Sequence, residues 1–320
     1  MRIATKGRLA LLLAAALPFS AMAQFPAKPI TFIVPFAAGS ATDQIGRAIG
    51  QGVTEQTGQA VVIENKPGAS AMIGAAAGAR ATPDGYTVLI TTNTTHAANE
   101  HLYKSLTYDP VKDFAPLTLL GKGGQIMVVN PSSSAKTVGD FLAQAKQSPG
   151  KLSFGSGSSS SRIAGELLQQ MANVQLLHVP YKSNPLAVTD LLGGQIDMMI
   201  TDTATGLPQV KSGKLRALGV TGQARSPLAP DVPTISEAGV PGYEMGYWFA
   251  AYAPAGTPPD VVKRLNELLV NATKAKAAQQ FYAQTGTDAA SSTPDELAKF
   301  QQAESKKWGD IIKKAGIQPE

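Results

Sequence analysis

The apolar residues of this chain come in short runs of strand length, each followed by polar loop residues and then by apolar positions at helical spacing. Thr31-Phe32-Ile33-Val34 is the first such run, ended by Pro35, which cannot continue a central strand ladder. Beyond the turn-prone Ala37-Ala38-Gly39-Ser40, Ile45, Ala48 and Ile49 recur at helical spacing, and Ser40 with Asp43 has the form of a capping box. This helix is expected to run to about Gln56 and to stop at Gly58. Strands over 60–63 and 86–90 flank a small-residue helix over 72–81, whose Ala and Gly content suits close packing on a sheet. Strand, helix, strand, helix, strand is the order of a mostly parallel α/β sheet.

The second half repeats the pattern. Apolar runs at 113–120 and 125–129, separated by Gly121, Gly123 and Gly124, read as a crossing into a second lobe. Thr137 and Asp140 cap a helix through Lys146, and a short strand at 152–154 leads to Gly155-Ser156-Gly157-Ser158-Ser159-Ser160-Ser161. That serine run opens a helix with Ile163, Leu167, Leu168 and Met171 on its buried side. A strand at 176–179 reaches the loop Pro180-Tyr181-Lys182-Ser183-Asn184 and a helix starting at Pro185; a strand at 195–200 delivers Thr201-Asp202-Thr203-Ala204-Thr205. After a strand at 215–220, a strand at 247–253 returns to the first lobe, where helices capped at Thr257-Pro258-Pro259-Asp260 and Thr293-Pro294-Asp295-Glu296 are expected to pack. The organisation is thus a leader over 1–23, lobe I over 24–122 plus 248–320, and lobe II over 123–247. Two α/β lobes joined by two crossings make a hinged clamshell with a cleft between them.

Composition changes this picture at the start of the chain. Arg2, Lys6 and Arg8 precede an apolar run over 9–17 and a small-residue site, Ala21-Met22-Ala23, the pattern of a secretory signal cleaved near Ala23. The run is far shorter than the roughly 20 residues that span a bilayer, so a soluble, exported chain in a bacterial periplasm is expected. Cysteine is absent, which rules out disulfides and a lipid-modified cysteine. The formal charge of +5 also shrinks: without the leader, 25 basic residues face 23 acidic ones. With no basic run or basic-aromatic stripe, nothing marks a nucleic-acid partner.

Five loops after strands carry Ser, Thr, Asn and Gly with few charges, a set suited to holding an anion at helix N-termini. A carboxylate gains about 1.5–3 kcal/mol from each charge-assisted hydrogen bond, so three or four suffice for micromolar binding without an arginine clamp. The candidate ligand-binding positions are Phe36, Ala37, Ala38, Gly39, Ser40, Thr42 and Asp43 in the first loop, and Thr92 and Asn93 in the second. Ser156, Ser158, Ser159 and Ser160 come from the third, Tyr181, Lys182 and Ser183 from the fourth, and Asp202 and Thr203 from the fifth. Phe36 and Tyr181 would wall a ligand body, or pack within their own lobes. Asp43 reads most simply as the cap partner of Ser40, and Asp202 as either a turn residue or an acceptor for a ligand hydroxyl or amine. Catalytic motifs fail: the serine loop lacks G-x-S-x-G, and Gly121-Lys122-Gly123-Gly124 matches neither a P-loop nor G-x-G-x-x-G. His96, His101 and His178 have no metal-ligand spacing, so no metal and no cofactor is expected.

These residues resemble the Bug (TctC-type) solute-binding proteins of tripartite tricarboxylate transporters over nearly the whole mature chain. The markers are Pro26-x-Lys28-Pro29-Ile30, Pro35-Phe36-x-x-Gly39-x-x-x-Asp43, Glu64-Asn65-Lys66-Pro67-Gly68-Ala69, Pro83-Asp84-Gly85-Tyr86, Val179-Pro180-Tyr181-Lys182 and Gly193-Gly194-Gln195-Ile196-Asp197. The resemblance implies a periplasmic-binding-protein fold of Venus-flytrap form, type II, with two crossover strands. It further implies a monomeric receptor that is not an enzyme, captures an organic carboxylate and presents it to a two-subunit membrane permease. The chain departs from the family at Ser40, where a glycine is usual, near Ser70-Ala71, where the family has glycines, at Ser183, where a glycine is often found, and near Arg162, where a histidine is common. Arg162, just inside a helix start, either faces a second ligand carboxylate or is solvated. The residues alone leave open a sensing domain acting on a membrane signalling partner, and a hydrolase using a hydroxyl within 158–161.

Overall fold

The run at the first strand turns out of the sheet at Pro35, as its missing N–H requires. In the computed structural model, which describes residues 25–320, β1 (Ile30–Val34) leads through that turn to α1 (Ala41–Thr57). The leader assigned to residues 1–23 lies outside the described residues. α1 buries Ile45, Ile49 and Val53 at helical spacing and ends where Gly58 turns left-handed, φ 71°. β2 (Val61–Asn65), α2 (Met72–Ala79) and β3 (Thr87–Thr92) follow, with β1 parallel to both β2 and β3.

Three local expectations change here. The polar stretch after β3, expected as a loop, closes into a π-helical turn over Thr94–Ala98 that runs into α3 (Asn99–Leu102). The wider turn leaves the Thr95 carbonyl to accept from the buried Tyr108 hydroxyl at 2.8 Å. The apolar runs at 113–120 and 125–129 are one strand, β4 (Phe114–Val129), because a neighbouring strand pairs with the glycine stretch between them. The Ser40–Asp43 capping box is only half made: Ser40 Oγ accepts from the Asp43 N–H at 3.2 Å, but the Ser40 N–H donates to the Ala37 carbonyl.

The second lobe follows its pattern closely. α4 (Val138–Gln147) starts with a complete Thr137–Asp140 capping box. β5 (Ser153–Ser156), α5 (Ser159–Ala172), β6 (Leu177–Pro180), α6 (Asn184–Leu192), β7 (Met198–Asp202), α7 (Thr203–Lys211) and β8 (Arg216–Val220) then alternate. α6 starts one residue before Pro185, with Ser183 at its cap. β9 (Gly246–Pro254) returns, followed by α8 (Pro259–Ala272), α9 (Lys276–Thr285) and α10 (Pro294–Lys314). Thr257 does not cap α8, since its hydroxyl donates to the Pro254 carbonyl and Pro258 stands at the cap. α9 carries no sequence signal at its start, where Ala275 caps without a side chain.

The strands form one sheet in the order β2-β1-β3-β9-β4-β7-β5-β6, with β8 also on β4. β4 is the spine. Its first part pairs antiparallel with β9 from Phe114–Pro254 to Gly124–Gly246, and its last part, from Gln125, pairs antiparallel with β7 and β8. β4 and β9 are thus the two strands that connect the lobes. Phe32, Ile45, Leu265 and Phe281 pack beneath α1, α8 and α9, while Ile126, Val188, Leu191 and Met199 pack in the second lobe. Each such buried side chain stabilises the fold by roughly 1.5–3 kcal/mol. A third cluster runs through both, from Leu89 and Phe114 to Phe154, Ile163 and Trp308. Accordingly α10 touches the π-helical turn and β4, as expected of a helix packed on the first lobe, and reaches α5 as well. No helix among the described residues is long and apolar enough to cross a membrane.

Candidate functional site

Three strand-to-helix corners share one construction. Ser40 Oγ accepts from the Asp43 N–H at the start of α1, Ser158 Oγ from the Ser161 N–H at 3.2 Å at the start of α5, and Asp202 Oδ1 from the Thr205 N–H at 2.8 Å at the start of α7. Each cap satisfies the third N–H of its helix. The first two have no intrahelical acceptor and carry the positive end of the helix dipole. Ser40, Ala41 and Thr42 face Gly157, Ser158, Ser160, Asn184 and Asp202 across a pocket between the lobes. Phe36 and Phe249 supply apolar wall, and Thr92 and Tyr247 supply hydroxyls. No lysine or arginine lines it among the described residues.

The second-lobe corners are tied to one another. The Gly157 N–H donates to Asn184 Oδ1 at 3.0 Å, and Asn184 Nδ2 donates to Asp202 Oδ2 at 2.8 Å. Gly157 lies directly on the backbone before α6, where an added Cβ would come within 1.9 Å of the Ser183 carbonyl carbon. Asp202 therefore has one oxygen held by α7 and the other by α6, with its carboxylate at the pocket wall. Across from it, the Tyr247 hydroxyl lies 3.2 Å from Thr203 Oγ1 and 2.9 Å from Thr287 Oγ1. Burial, reinforced by the Asp202 charge, pushes the Tyr247 phenol well above its ordinary value, so it stays protonated as a donor. Ser159 Oγ donates to Asn99 Oδ1 at 2.7 Å and ties α5 directly to α3 of the first lobe.

A family model described as the tripartite tricarboxylate transporter family receptor matches residues 45–317. The chain belongs to this receptor family. It is 33% identical to Protein BugT of Bordetella pertussis over 91% of its own length and 90% of that protein's. An R. palustris protein solved with adipate superposes with a TM-score of 0.89 at 33% identity, covering 92% of this chain and 100% of that one. MatC from Rhodopseudomonas palustris, solved with bound malate, gives 0.84 at 31% identity, covering 90% and 100%. This receptor is therefore a two-lobed solute-binding protein, not an enzyme.

Of the expected positions, the structure brings Phe36, Ser40, Thr42, Thr92, Ser158, Ser160 and Asp202 of the receptor to the pocket. Ser156, Ser159 and Tyr181 line an adjoining pocket that shares Gly157 and Ser158 with the first. Ala38 and Gly39 are exposed and Ala37 half-buried, on the outer side of the first corner; the Gly39 N–H already donates to Asp43 at 2.9 Å. Asp43 sits behind that corner. Burial raises its carboxyl, but hydrogen bonds from Arg47, Gly39 and Asn65 outweigh it and hold the group below the usual carboxylate value. Asn93 is buried and accepts from the Trp248 N–H, Ser183 is buried beneath Gly157, Thr203 bonds Tyr247, and Lys182 points to solvent. Sequence reasoning missed Ala41, Gly157, Asn184, Tyr247 and Phe249. Asn184 carried a signal, as the polar residue directly before the helix-starting Pro185; Tyr247 and Phe249 lie on a crossover strand and carried none.

The histidines serve other tasks. His96 stacks on Tyr252 at 3.9 Å, and burial holds it down to about 3. His101 bonds Ser305, and His178 bonds Ser156 at 2.7 Å.

Proposed function

We propose that the receptor captures an organic carboxylate in the periplasm and hands it to a two-subunit membrane permease. What carries the reading is the convergence of two helix N-termini, α1 from one lobe and α5 from the other, on a pocket lined by hydroxyls and without a cationic side chain, which α7 reaches only through its cap residue Asp202. Such a site holds one negative charge through N–H groups and hydroxyls, while Phe36 and Phe249 take the carbon body. Because the donors come from both lobes, the ligand is held fully only when the lobes are together, which couples occupancy to the shape a permease would read. Adipate and malate in the two R. palustris proteins support the ligand class, and the family description supports the transporter partner. The ligand-binding residues are Ser40, Ala41, Thr42, Thr92, Ser158, Ser160, Asn184, Asp202 and Tyr247.

A thermal-shift panel of mono-, di- and tricarboxylates, aromatic acids, amino acids, sugars and cations on the chain without residues 1–23 tests this. A carboxylate at about 100 times its Kd is expected to stabilise by roughly 2.7 kcal/mol. Stabilisation by sugars or cations, with none from any carboxylate, would overturn the reading.

A further inference from the structure

Beside the main pocket lies a second one, formed by Ser70 and Tyr103 from the first lobe and Ser156, Arg162 and His178 from the second. The two pockets adjoin at Gly157 and Ser158. Arg162 is in the first turn of α5, so its charge stands close to the same helix start that faces the main pocket. A carboxylate already sits against it: Glu320 Oε1 is 2.6 Å from Arg162 Nη1. The Glu320 backbone is fixed to the first lobe, accepting from Lys104 N–H at 2.8 Å and donating to the Leu102 carbonyl at 2.9 Å.

That pairing uses only part of the guanidinium. An arginine fork takes a carboxylate through two parallel bonds, yet Arg162 Nε is buried with no partner among the described residues. The Arg162 side chain is 18% exposed and that of Glu320 57%, so the acid is the partner that solvent readily takes back. Burial first, then the Arg162 charge, hold His178 down to about 4 against the pull of Glu320, leaving a neutral ring. Arg162 is then the sole cation lining this pocket among the described residues.

We propose that the Arg162 pocket is a second carboxylate site, occupied by Glu320 until a ligand carboxylate displaces it. The proposal rests on the reading that the main pocket takes a carboxylate. The displacing group is either the far end of a dicarboxylate whose near end is in the main pocket, or a separate small monoanion.

Titration calorimetry with unbranched dicarboxylates from malonate to adipate, and with the monocarboxylates of equal carbon number, tests it on the wild type, Arg162→Met and Glu320→Gln. The readout is the ratio of di- to monocarboxylate affinity. Arg162→Met is expected to lower that ratio about tenfold, the loss of one charge-assisted pair, and Glu320→Gln to raise it about threefold by removing the internal competitor. One molecule bound per chain supports the dicarboxylate source. Two monocarboxylates per chain, one of them lost in Arg162→Met, support the separate anion. An unchanged ratio in both variants, with one molecule bound per chain for every ligand, overturns the proposal and makes the pair a simple lobe-to-lobe contact. If no carboxylate binds the wild type, the carboxylate reading of the main pocket falls first, and this site with it.

Discussion

The corner before α1 and the corner before α7 each place an aspartate within the first turn of a helix, and the two acids end up with opposite tasks. Asp43, at the third helical position, is 3% exposed and turns behind its loop, where it accepts from Gly39, Arg47 and Asn65. Asp202, at the cap, is 8% exposed and stands on the pocket wall. Residue type and burial are the same; the difference is register against the cap. A cap side chain must reach forward to the third N–H and so lies over the helix mouth, whereas a third-position side chain reaches back along the loop. The corners also differ in what fixes them. The first is held by side chains on a loop with room around it, since an added Cβ at Gly39 meets nothing within 4 Å. The second is held by the Asn184 amide, which donates to Asp202 and accepts from the Gly157 N–H of the α5 corner, where backbone is pressed on the Ser183 backbone before α6.

The largest loss is expected from Gly157→Ala, at the α5 corner that abuts the start of α6. A methyl there meets backbone atoms that cannot rotate aside, so the variant is expected to lose about 3 kcal/mol or more in urea denaturation, with loss of ligand binding. Gly39→Ala supplies the control. Gly39 has φ 80° and open space around it, so the cost is left-handed strain alone, roughly 1–2 kcal/mol. Equal losses in the two variants would mean that the α1 corner and the α5 corner, on which the Asn184–Asp202 link rests, are held in the same way.

Asp43→Asn comes next. An amide cannot accept from all three of the Asp43 donors, and leaving a buried donor without a partner costs about 1–3 kcal/mol, so a loss of about 2 kcal/mol at pH 7 is expected. The loss depends on pH with a definite sign. The Asp43 carboxyl lies below its ordinary value of 3.8 in the folded chain, so its contribution is fully present above that value and disappears as pH falls towards the folded pKa. The stability gap between wild type and Asp43→Asn should therefore narrow below about pH 4. A gap that stays constant down to pH 3 in chemical denaturation would show that Asp43 acts through shape rather than charge.

Much of this arrangement is legible in the amino-acid sequence. The alternation of strand-length runs and helical spacing located the elements of both half-sheets, because each element buries a face with its own period. The complete boxes at Thr137–Asp140 and Thr293–Glu296 were readable since both partners are local. What failed were features decided at a distance. Asp43 gave up its half of a capping box to Asn65, a partner 22 residues away. The glycines within β4 did not break the strand because β9, more than a hundred residues later, pairs across them. For the site, serine and threonine loops at strand ends were visible as donors, but the sequence could not tell which donors were already used. The Gly39 N–H is taken by Asp43, Thr203 by Tyr247 and Ser159 by Asn99. Tyr247 and Phe249 alternate along an apolar strand with core residues, so their approach to the pocket is a property of how β9 crosses between the lobes.

Asp202→Asn keeps a good helix cap but leaves one mismatched bond, because the Asn184 amide can no longer both serve Gly157 and donate to residue 202; about 1 kcal/mol of stability should be lost. Binding should move the other way. Asp202 is the carboxylate on the pocket wall, and removing its charge takes away repulsion from a bound anion, so the affinity for an unsubstituted monocarboxylate should rise roughly fivefold. For a hydroxy or amino acid the same change removes an acceptor for the ligand's own donor, and affinity should fall by a similar factor. Calorimetry with propionate, lactate and alanine separates the two signs, and one or more of these must first bind the wild type. If Asp202→Asn weakens every acid that binds, the carboxylate serves only to hold α6 and α7 together. Asp202 would then be a structural residue like Asp43, and cap register would not be what sets the two apart.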